Sequence, residues 1–526
     1  MKKYYLDKIE YNIGNVLTLL DRNHLSSTYG CFDRNYWHYK IKDFPSGMSQ
    51  EFVLILALAY KLPVTSNTFY ENSNLIEFIK SGIEYGINSS NKDGSANDYY
   101  PYERALGATC FSLYAFTESC LLLNITDGEY LSFFIKRANW IINSKESGLL
   151  SNHHAIVALS LFNIFLLTGK EYYKKESEKK INEIIFWQDK EGWYPEYGGC
   201  SLGYLSVSID FLAQYYKKNP KKTLYDSLVK AIDFFYILQH PDGTCGGDYE
   251  SRNTSIFHPN GFEILSDYNK KAEQIANSYL KAKSQNNLTY TNDDYIFGHS
   301  LISNINAYNN CNRNKFDFYN KKQRQNSNVF FKSSSICIYQ NKYFWSIFNL
   351  KKGGIGKIYK NDELDYSDSG IVLKINDRLF ISSIYNLNTD IVENGKGFSI
   401  ESSFKPYKQY LPKLHIFILF RIFLFIFGRF QFSSQLVRKI LQKKLIYNNS
   451  KCQLKIKKDI LFYPDKVIIK TNILGSLKGF QKAYRASGLV PIYTAVAECF
   501  QNTELSHIWK EIDLEKNALS LEEIIS

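Results

Sequence analysis

The stretch that decides the fold is residues 193–204, Trp193-Tyr194-Pro195-Glu196-Tyr197-Gly198-Gly199-Cys200-Ser201-Leu202-Gly203-Tyr204. It leads into an apolar helix that is predicted over 205–216. Aromatic rings stack on the C–H faces of sugars, and the amides at a helix start bind anions. Trp193 and Glu196 are therefore predicted to bind a sugar. Tyr204, at the helix entrance, is predicted to serve as acid and base for a proton next to a carboxylate, and the alternative is an ordinary core tyrosine.

The same unit of loop and helix recurs on both sides of this stretch. Apolar periodicity predicts helices over 48–61, 73–85, 103–123, 129–142, 152–168, 170–186, 203–217, 222–239 and 260–283. Short turns with Gly, Pro or Asp separate them. A series of antiparallel helix hairpins whose loops return to one end predicts an incomplete α/α toroid, with a cleft among those loops.

The later part of the chain has a different pattern. Period-two runs rich in Val, Ile, Tyr, Phe and Ser, from 329–331 to 466–472, predict an antiparallel β-sandwich. Periodicity fails in the polar segment 306–328, where the connection is expected. The prediction is a multidomain α+β protein, with the toroid assigned to 1–290 and the sandwich to 291–526.

An insert at about 411–448 interrupts the strand series. Residues 414–427 are apolar almost all round but fall short of the roughly 20 residues that span a bilayer. Basic residues follow them, at Arg429, Arg438, Lys439, Lys443 and Lys444. An apolar run with a basic partner fits a helix in the interface of an anionic membrane, and the alternative is a hydrophobic helix packed between the two domains.

Composition narrows the partners and the compartment. The chain has 64 Lys and Arg against 52 Asp and Glu, a formal charge of +12 that suits an acidic polysaccharide, an anionic membrane or nucleic acid. Because no nucleic-acid-binding motif is present, nucleic acid is not expected as a partner. Nine Cys without a C-x-x-C pair predict buried thiols in a reducing compartment. The apolar run that an export signal needs is interrupted by Asp7, Lys8 and Glu10, so a cytoplasmic location is expected. Within the cytoplasm, the protein could also be attached to the inner face of the membrane.

A second motif begins the predicted helix 152–168 with Ser151-Asn152-His153-His154. Asn suits a helix N-cap, so a purely structural role is one interpretation of Asn152. An amide at a helix start with imidazoles beside it can also neutralise a carboxylate and so acidify the adjacent proton. On that second interpretation Asn152 and His153 are catalytic and His154 binds substrate.

The loop 243–262 supplies a third group, in which Arg252, Asn253 and His258 follow a Gly pair and are predicted to bind substrate. Arg can hold a carboxylate through two parallel hydrogen bonds, and the alternative is a salt bridge within the loop. Arg104, before another toroid helix, is predicted to bind substrate, and the alternative is that it pairs with Glu103 or with a neighbouring helix. No cofactor is predicted and no His-x-x-x-His zinc signature is present, while a structural metal in the sandwich stays open.

Three short motifs, Asn152-His153-His154, residues 196–204 and residues 246–254, resemble those of the heparinase II/III-like polysaccharide lyases and their alginate lyase relatives. The resemblance implies a toroid joined to a β-sandwich, with Asn152 or His153 neutralising a uronate carboxylate and Tyr204 as base, acid or both. That family usually adds a His from the sandwich. Here the only His beyond residue 300 are His415 and His507, neither in a strand motif, which leaves His153, His154 or His258 for that role.

Three functions fit these residues. Abstraction of the C5 proton of a uronate followed by β-elimination predicts a polysaccharide lyase. Return of the proton to the opposite face predicts a uronate C5-epimerase in polysaccharide biosynthesis, and the same scaffold without catalysis predicts a glycan-binding or assembly protein. The expected substrate is an acidic polysaccharide or a lipid-linked oligosaccharide.

Overall fold

The computed structural model describes residues 1–144, 148–287, 289–290, 294–314, 316, 327–408, 411, 413–430, 433, 436–437, 440, 452–492, 499–513 and 520–526. Helices dominate the first 310 residues of this part of the chain. They are α1 Ile9–Leu19, α2 Arg34–Trp37, α3 Phe52–Lys61, α4 Ser73–Asn88, α5 Leu106–Leu123, α6 Gly128–Asn143, α7 Ser151–Thr168, α8 Glu171–Trp187, α9 Leu202–Lys218, α10 Lys222–Leu238, α11 Asn260–Leu265, α12 Lys270–Ser284, α13 Asp294–Asn310 and, much later, α14 Leu414–Phe427.

The inner helices of the toroid follow one another around its axis. Contacts run from α3 to α5, α7, α9, α11 and α13, while α4, α6, α8, α10 and α12 pack outside them. Two inner helices, α5 and α7, are long and apolar enough to cross a membrane by length and composition, yet 72% and 67% of them is buried inside the protein. Their apolar residues are found around most of the helix because neighbouring helices cover most of their surface.

Local signals explain where the helices start and stop. The Asp127 side chain accepts hydrogen bonds from the first amides of α6, and Gly169, with φ of +68°, ends α7. The single helix predicted over 260–283 is two helices, because Asn269 caps a new start at Lys270. Helix α13 was missed, since the period-two pattern was expected to begin after residue 290; it packs against α3 and α11.

Among the residues that the structure describes, the strands form three five-stranded antiparallel sheets and one short pair. The strands are β1 Thr289–Tyr290, β2 Ser327–Phe331, β3 Ile336–Gln340, β4 Phe344–Asn349, β5 Ile355–Lys360, β6 Glu363–Asp368, β7 Ile371–Ile375, β8 Arg378–Ile381, β9 Asp390–Asn394, β10 Gly397–Ser403, β11 Lys405–Tyr407, β12 Lys455–Phe462, β13 Val467–Leu474, β14 Phe480–Arg485, β15 Phe500–Gln501, β16 Lys510–Glu511 and β17 Ser520–Ile525. The first sheet has the order β2-β3-β4-β5-β6, the second β17-β13-β12-β10-β9, and the third β11-β8-β7-β14-β16; β1 pairs with β15.

The first sheet joins the toroid to the sandwich. Every residue of β4 is buried, and successive side chains point to opposite faces. Trp345 and Ile347 belong to the same apolar cluster as the toroid core, whereas Phe344 and Phe348 pack with residues of the second sheet. The predicted fold class, an α/α toroid followed by an antiparallel β-sandwich, is confirmed, and this shared layer holds the two parts together.

Two further predictions meet the structure here. All nine cysteines are free thiols, and seven of them are buried as predicted, while Cys452 and Cys499 are half-buried. The apolar part of the insert is a helix, α14, but most of its side chains are exposed to solvent. The alternative prediction, a hydrophobic helix packed between the two domains, is therefore wrong. The basic residues at 438, 439, 443 and 444 lie outside the described residues.

Candidate functional site

A cleft of about 380 Å³ lies between the loops at one end of the toroid and the sandwich, at the small end of the size range of ligand pockets. Three residues predicted to bind substrate, Trp193, Arg252 and Asn253, line its toroid wall. The sandwich contributes cationic and aromatic residues to the other wall, which are Lys352, Tyr385, Lys405, Tyr407 and Lys408. The cleft is thus lined by positive charge and aromatic rings from both parts of the molecule.

A tight turn presents Tyr197 to this cleft. Glu196 and Gly199 exchange two backbone hydrogen bonds of 2.9 and 3.1 Å, and the residues between them, Tyr197 and Gly198, have φ of +50° and +85°. Two consecutive positive φ values define a type I′ turn, which a bulky residue adopts at a cost in energy. The Arg252 guanidinium carbon lies 5.4 Å from the centre of the Tyr197 ring, within range of a cation–π contact.

The loop that carries Arg252 is held from both sides. Arg252 Nη1 donates to the Ser251 carbonyl at 2.6 Å. From the sandwich, buried Lys352 donates through Nζ to the carbonyls of Asp248 at 2.5 Å and Glu250 at 2.6 Å. A cation that is oriented by two backbone carbonyls fixes the loop against the sandwich, so Arg252 projects from a supported position.

Two ionisable groups beneath this loop have unusual pKa values. Burial lowers the pKa of Lys352 to about 8, an effect that the carboxylate of Asp248 opposes and the charge of Arg252 reinforces. Burial raises the pKa of Glu250 to about 8, against hydrogen bonds from the Leu202 backbone and from hydroxyl groups nearby. The charge beneath the Arg252 loop therefore changes near pH 8.

The sequence-predicted residues Asn152 and Glu196 bind each other. The Asn152 backbone amide donates to Glu196 Oε1 at 2.6 Å, and Asn152 Nδ2 donates to Glu196 Oε2 at 2.9 Å. Both residues are buried. Asn152 is the second residue of α7 rather than its N-cap, and the Glu196 carboxylate binds the amide-rich start of that helix. The carboxylate that Asn152 contacts is therefore the protein's own.

Tyr204 is buried next to Tyr197. It is the third residue of α9, is 6% exposed, and its ring centre is 5.3 Å from that of Tyr197. Gly203 permits the close approach of Thr254 to the start of α9, because a Cβ there would meet Thr254 Oγ1 at 2.8 Å. Tyr197 lines the cleft, whereas Tyr204 packs against Tyr197 and is not part of the lining.

Two predicted histidines lie in the interior of the toroid. The His153 ring packs 6.2 Å from Phe111, and Phe111 packs 4.4 Å from His299, whose Nδ1 is 2.8 Å from Glu51 Oε2. His299 was not among the predicted site residues. His299 and its partners do not line the cleft described above.

His258 shares this interior. Its Nδ1 lies 3.8 Å from Asp210 Oδ2, and burial lowers the pKa of His258, while Asp210 raises it and His299 lowers it further. Asp210 also accepts hydrogen bonds from Asn260 and Ser303. The interior therefore holds imidazoles paired with carboxylates.

The structure places two predicted residues away from the cleft. His154 Nδ1 lies 3.3 Å from Glu183 Oε2, and its ring packs 4.5 Å from that of Trp187, both on the outer helix α8. Arg104 pairs with Asp93 and donates through Nη1 and Nη2 to main-chain oxygens just after α14. In this structure the side chains of His154 and Arg104 therefore contact other parts of the protein and do not line the cleft.

Several cleft residues were not predicted. The run Lys405-Pro406-Tyr407-Lys408 was a readable signal, since it joins cations and an aromatic ring immediately before the insert. The sequence around Lys352 and Tyr385 contains no such signal, because only the tertiary fold brings these residues to the Arg252 loop. Among the residues that the structure describes, no group of three or more His, Cys, Asp or Glu side chains is placed to hold a metal ion.

The architecture is similar to that of solved polysaccharide lyases. One is the chondroitin AC lyase of Streptomyces coelicolor A3 in complex with chondroitin sulphate, with 8% identity, a TM-score of 0.58, and coverage of 92% of this chain and 68% of that one. Heparinase III has 12% identity, a TM-score of 0.50, and coverage of 86% and 66%. No protein-family model and no curated protein matches the sequence. The resemblance expected from the motifs is therefore confirmed for the fold.

Proposed function

We propose that this protein is a carbohydrate-active enzyme that binds an acidic polysaccharide in the cleft and abstracts the C5 proton of a uronate. The observation that carries the proposal is the lining of the cleft, where Arg252, Lys352, Lys405 and Lys408 lie among aromatic side chains. Cations bind the carboxylates of such a polymer and aromatic rings bind its sugar faces. The fold shared with polysaccharide lyases supports the same conclusion.

In the proposed reaction, Arg252 holds the uronate carboxylate through its planar fork. Neutralising that charge acidifies the C5 proton. Tyr204, as the catalytic base, removes this proton through the hydroxyl of Tyr197, which lines the cleft. The electron pair forms a C4–C5 double bond, the bond from C4 to the glycosidic oxygen breaks, and a proton returns to that oxygen. This is β-elimination, the reaction of a lyase.

The Glu196 contact changes the role proposed for Asn152. The side-chain amide and backbone N–H of Asn152 already bind the buried carboxylate of Glu196. Asn152 is therefore proposed to fix the turn that presents Tyr197. His153 and His258 keep their predicted roles only if substrate enters the toroid interior. The carboxylate of the substrate is accordingly assigned to Arg252, with Asn253 beside it.

A second candidate is a uronate C5-epimerase. The specific observation in its favour is the presence of two adjacent tyrosines, Tyr197 and Tyr204, since an epimerase needs one group to remove the proton and another to return it. Both reactions share the bound uronate and its C5 proton, and they differ in whether the glycosidic bond breaks.

A panel of uronate polymers and lipid-linked oligosaccharides tests the proposal. A lyase produces the absorbance of an unsaturated uronate, and an epimerase incorporates solvent deuterium at C5 without that absorbance. Tyr197→Phe and Tyr204→Phe, compared side by side, show which phenol carries the proton. Binding of an acidic polymer with neither signal leaves a glycan-binding protein, and no binding to any member of the panel contradicts the proposal as a whole.

A further inference from the structure

Helix α14 presents a broad apolar surface to solvent. Nine of its large apolar side chains are between 39% and 76% exposed, namely Leu414, Ile416, Phe417, Ile418, Leu419, Ile422, Phe425, Ile426 and Phe427. Within the helix only Leu424 is buried. Monomeric soluble proteins rarely expose a contiguous apolar patch of this kind, and those that do use it to bind a partner or a membrane.

The helix is fixed to the toroid along one narrow stripe. Leu424 packs against Tyr100, and Arg421 Nη2 lies 3.2 Å from Asp43 Oδ1. At its C-terminal end, Arg104 donates to the main-chain oxygens that follow the helix at 3.1 and 3.0 Å. A cation at the C-terminal end of a helix is stabilised by the negative end of the helix dipole. These contacts hold α14 in place with its apolar residues facing outward.

The net positive charge of the sequence lies in the segment of chain that contains this helix. Residues 402–458 contain 13 of the 64 Lys and Arg and no Asp or Glu. The other 469 residues carry 51 Lys and Arg against 52 Asp and Glu, so they are close to neutral. A basic segment of this kind is attracted to anionic lipid headgroups, and the exposed apolar side chains of α14, which belongs to this segment, can enter the boundary between headgroups and acyl chains.

The width of the exposed surface indicates what covers it. At about 100° of rotation per residue, the nine exposed side chains extend over well more than half of the helix circumference. A helix packed in a protein groove needs an apolar stripe only slightly wider than about 100°. With 14 residues, α14 is too short to span a bilayer, which takes roughly 20. A helix lying in the plane of the bilayer interface fits both observations.

We propose that α14 is an interfacial helix that docks the protein on an anionic membrane. Lys405 and Lys408 line the cleft, and Leu414 follows Lys408 by only six positions in the chain. A chain of that length reaches at most about 20 Å, so docking holds the cleft wall close to the lipid surface. The substrate is then an acidic glycan that is carried at a membrane, a consequence that rests on the proposed function of the cleft.

Vesicle flotation tests the docking. Vesicles of phosphatidylcholine alone are compared with vesicles of equal parts phosphatidylcholine and phosphatidylglycerol. The wild type is expected to float with the anionic vesicles, less so as salt increases. Leu419→Asn with Phe425→Asn, two strongly exposed residues of α14, should reduce this binding by at least about tenfold. Phe186→Asn with Tyr172→Asn on α8 is the matched control, since both are also exposed, and it should bind as the wild type does.

Three results overturn the docking proposal. The wild type stays unbound with both kinds of vesicle, or the α14 variant binds as well as the wild type, or light scattering shows a dimer that the α14 variant converts to a monomer. The last result assigns the apolar face to a second copy of the chain. Binding of a uronate polymer by the α14 variant is measured in parallel: its retention shows an intact fold, and a cleft that binds no polymer while α14 still binds vesicles defeats the proposed function alone.

Discussion

The cleft and α14 share one basic segment of the chain but are built in different ways. Cleft residues come from positions as far apart as Trp193 and Pro491, whereas the apolar surface of α14 comes from 14 consecutive residues. The cleft therefore depends on the joint between toroid and sandwich, and α14 depends mainly on its own composition. From this difference we expect changes in the cleft, and at Tyr204 next to its Tyr197, to alter chemistry, and changes elsewhere to leave chemistry alone.

The largest effect is expected from Tyr204→Phe, which removes one hydroxyl with little change in volume. If Tyr204 is the acid or base, turnover of the polymer should fall by about 10²- to 10⁴-fold with an unchanged melting temperature. Tyr194→Phe is the control, because the Tyr194 hydroxyl is also buried and bonds Ser227 at 2.8 Å. It should lower stability and leave turnover intact. Equal turnover in the wild type and Tyr204→Phe removes Tyr204 from the mechanism.

Arg252→Lys should have the next largest effect, because the charge remains while the planar fork is lost. Hydrogen bonds to charged groups are worth about 1.5–3 kcal/mol, so binding of a uronate polymer should weaken by roughly 10- to 100-fold, as measured by calorimetry. Arg313→Lys is the matched control, since Arg313 forms two 2.7 Å bonds to Glu263 away from the cleft. A drop in melting temperature without weaker binding in Arg252→Lys identifies a structural arginine instead.

Glu250→Gln should change how stability depends on pH. Folded Glu250 keeps its proton up to about pH 8, whereas an unburied glutamate loses it near 4.5, so the unfolded state ionises first as pH rises. This group therefore lowers the free energy of unfolding progressively between pH 4.5 and about 8. Urea unfolding across that range should show the decline in the wild type and a smaller decline in Glu250→Gln. Identical slopes contradict the raised pKa of Glu250.

His154→Ala should have the smallest effect. Because His154 packs on Glu183 and Trp187 of the outer helix, we expect turnover within about twofold of the wild type and a loss of stability typical of a lost surface contact, up to about 1 kcal/mol. Thermal unfolding and the polymer assay measure the two quantities. A large fall in turnover restores the substrate-binding role that the sequence motif predicted.

The fold was readable from sequence because its signals are local. Apolar periodicity located seven toroid helices to within a few residues, and alternation located β3, β4 and β5. Helix α13 was missed since its polar residues, such as Asn304 and Asn306, mask its period. Strand β14, one neighbour of β7 in the third sheet, was missed because its residues have no clear alternation and pair with a strand more than 100 residues earlier.

The site was less readable because its groups are selected by tertiary contacts. Trp193, Arg252 and Asn253 were found from their loops, and the fold brings them to one cleft. Glu196 was expected to meet a ligand but bonds the start of α7, since a buried carboxylate requires donors and the helix amides supply them. In the sequence, Lys352 is only a hydrophilic residue in a short turn. Its role appears in the fold, where it donates to the carbonyls of Asp248 and Glu250.

Binding of an acidic polymer by the cleft lysines provides the most direct test. A variant with Lys405→Gln and Lys408→Gln is compared by calorimetry with the wild type and with a control carrying Lys270→Gln and Lys271→Gln on the outer helix α12, using a uronate polymer and a neutral polysaccharide. If the cleft binds the acidic polymer, the cleft variant should lose affinity by about tenfold or more, the control should match the wild type, and the neutral polysaccharide should bind to none of them. Equal affinity of the cleft variant and the control for the uronate polymer would contradict the assignment of this cleft as the binding site.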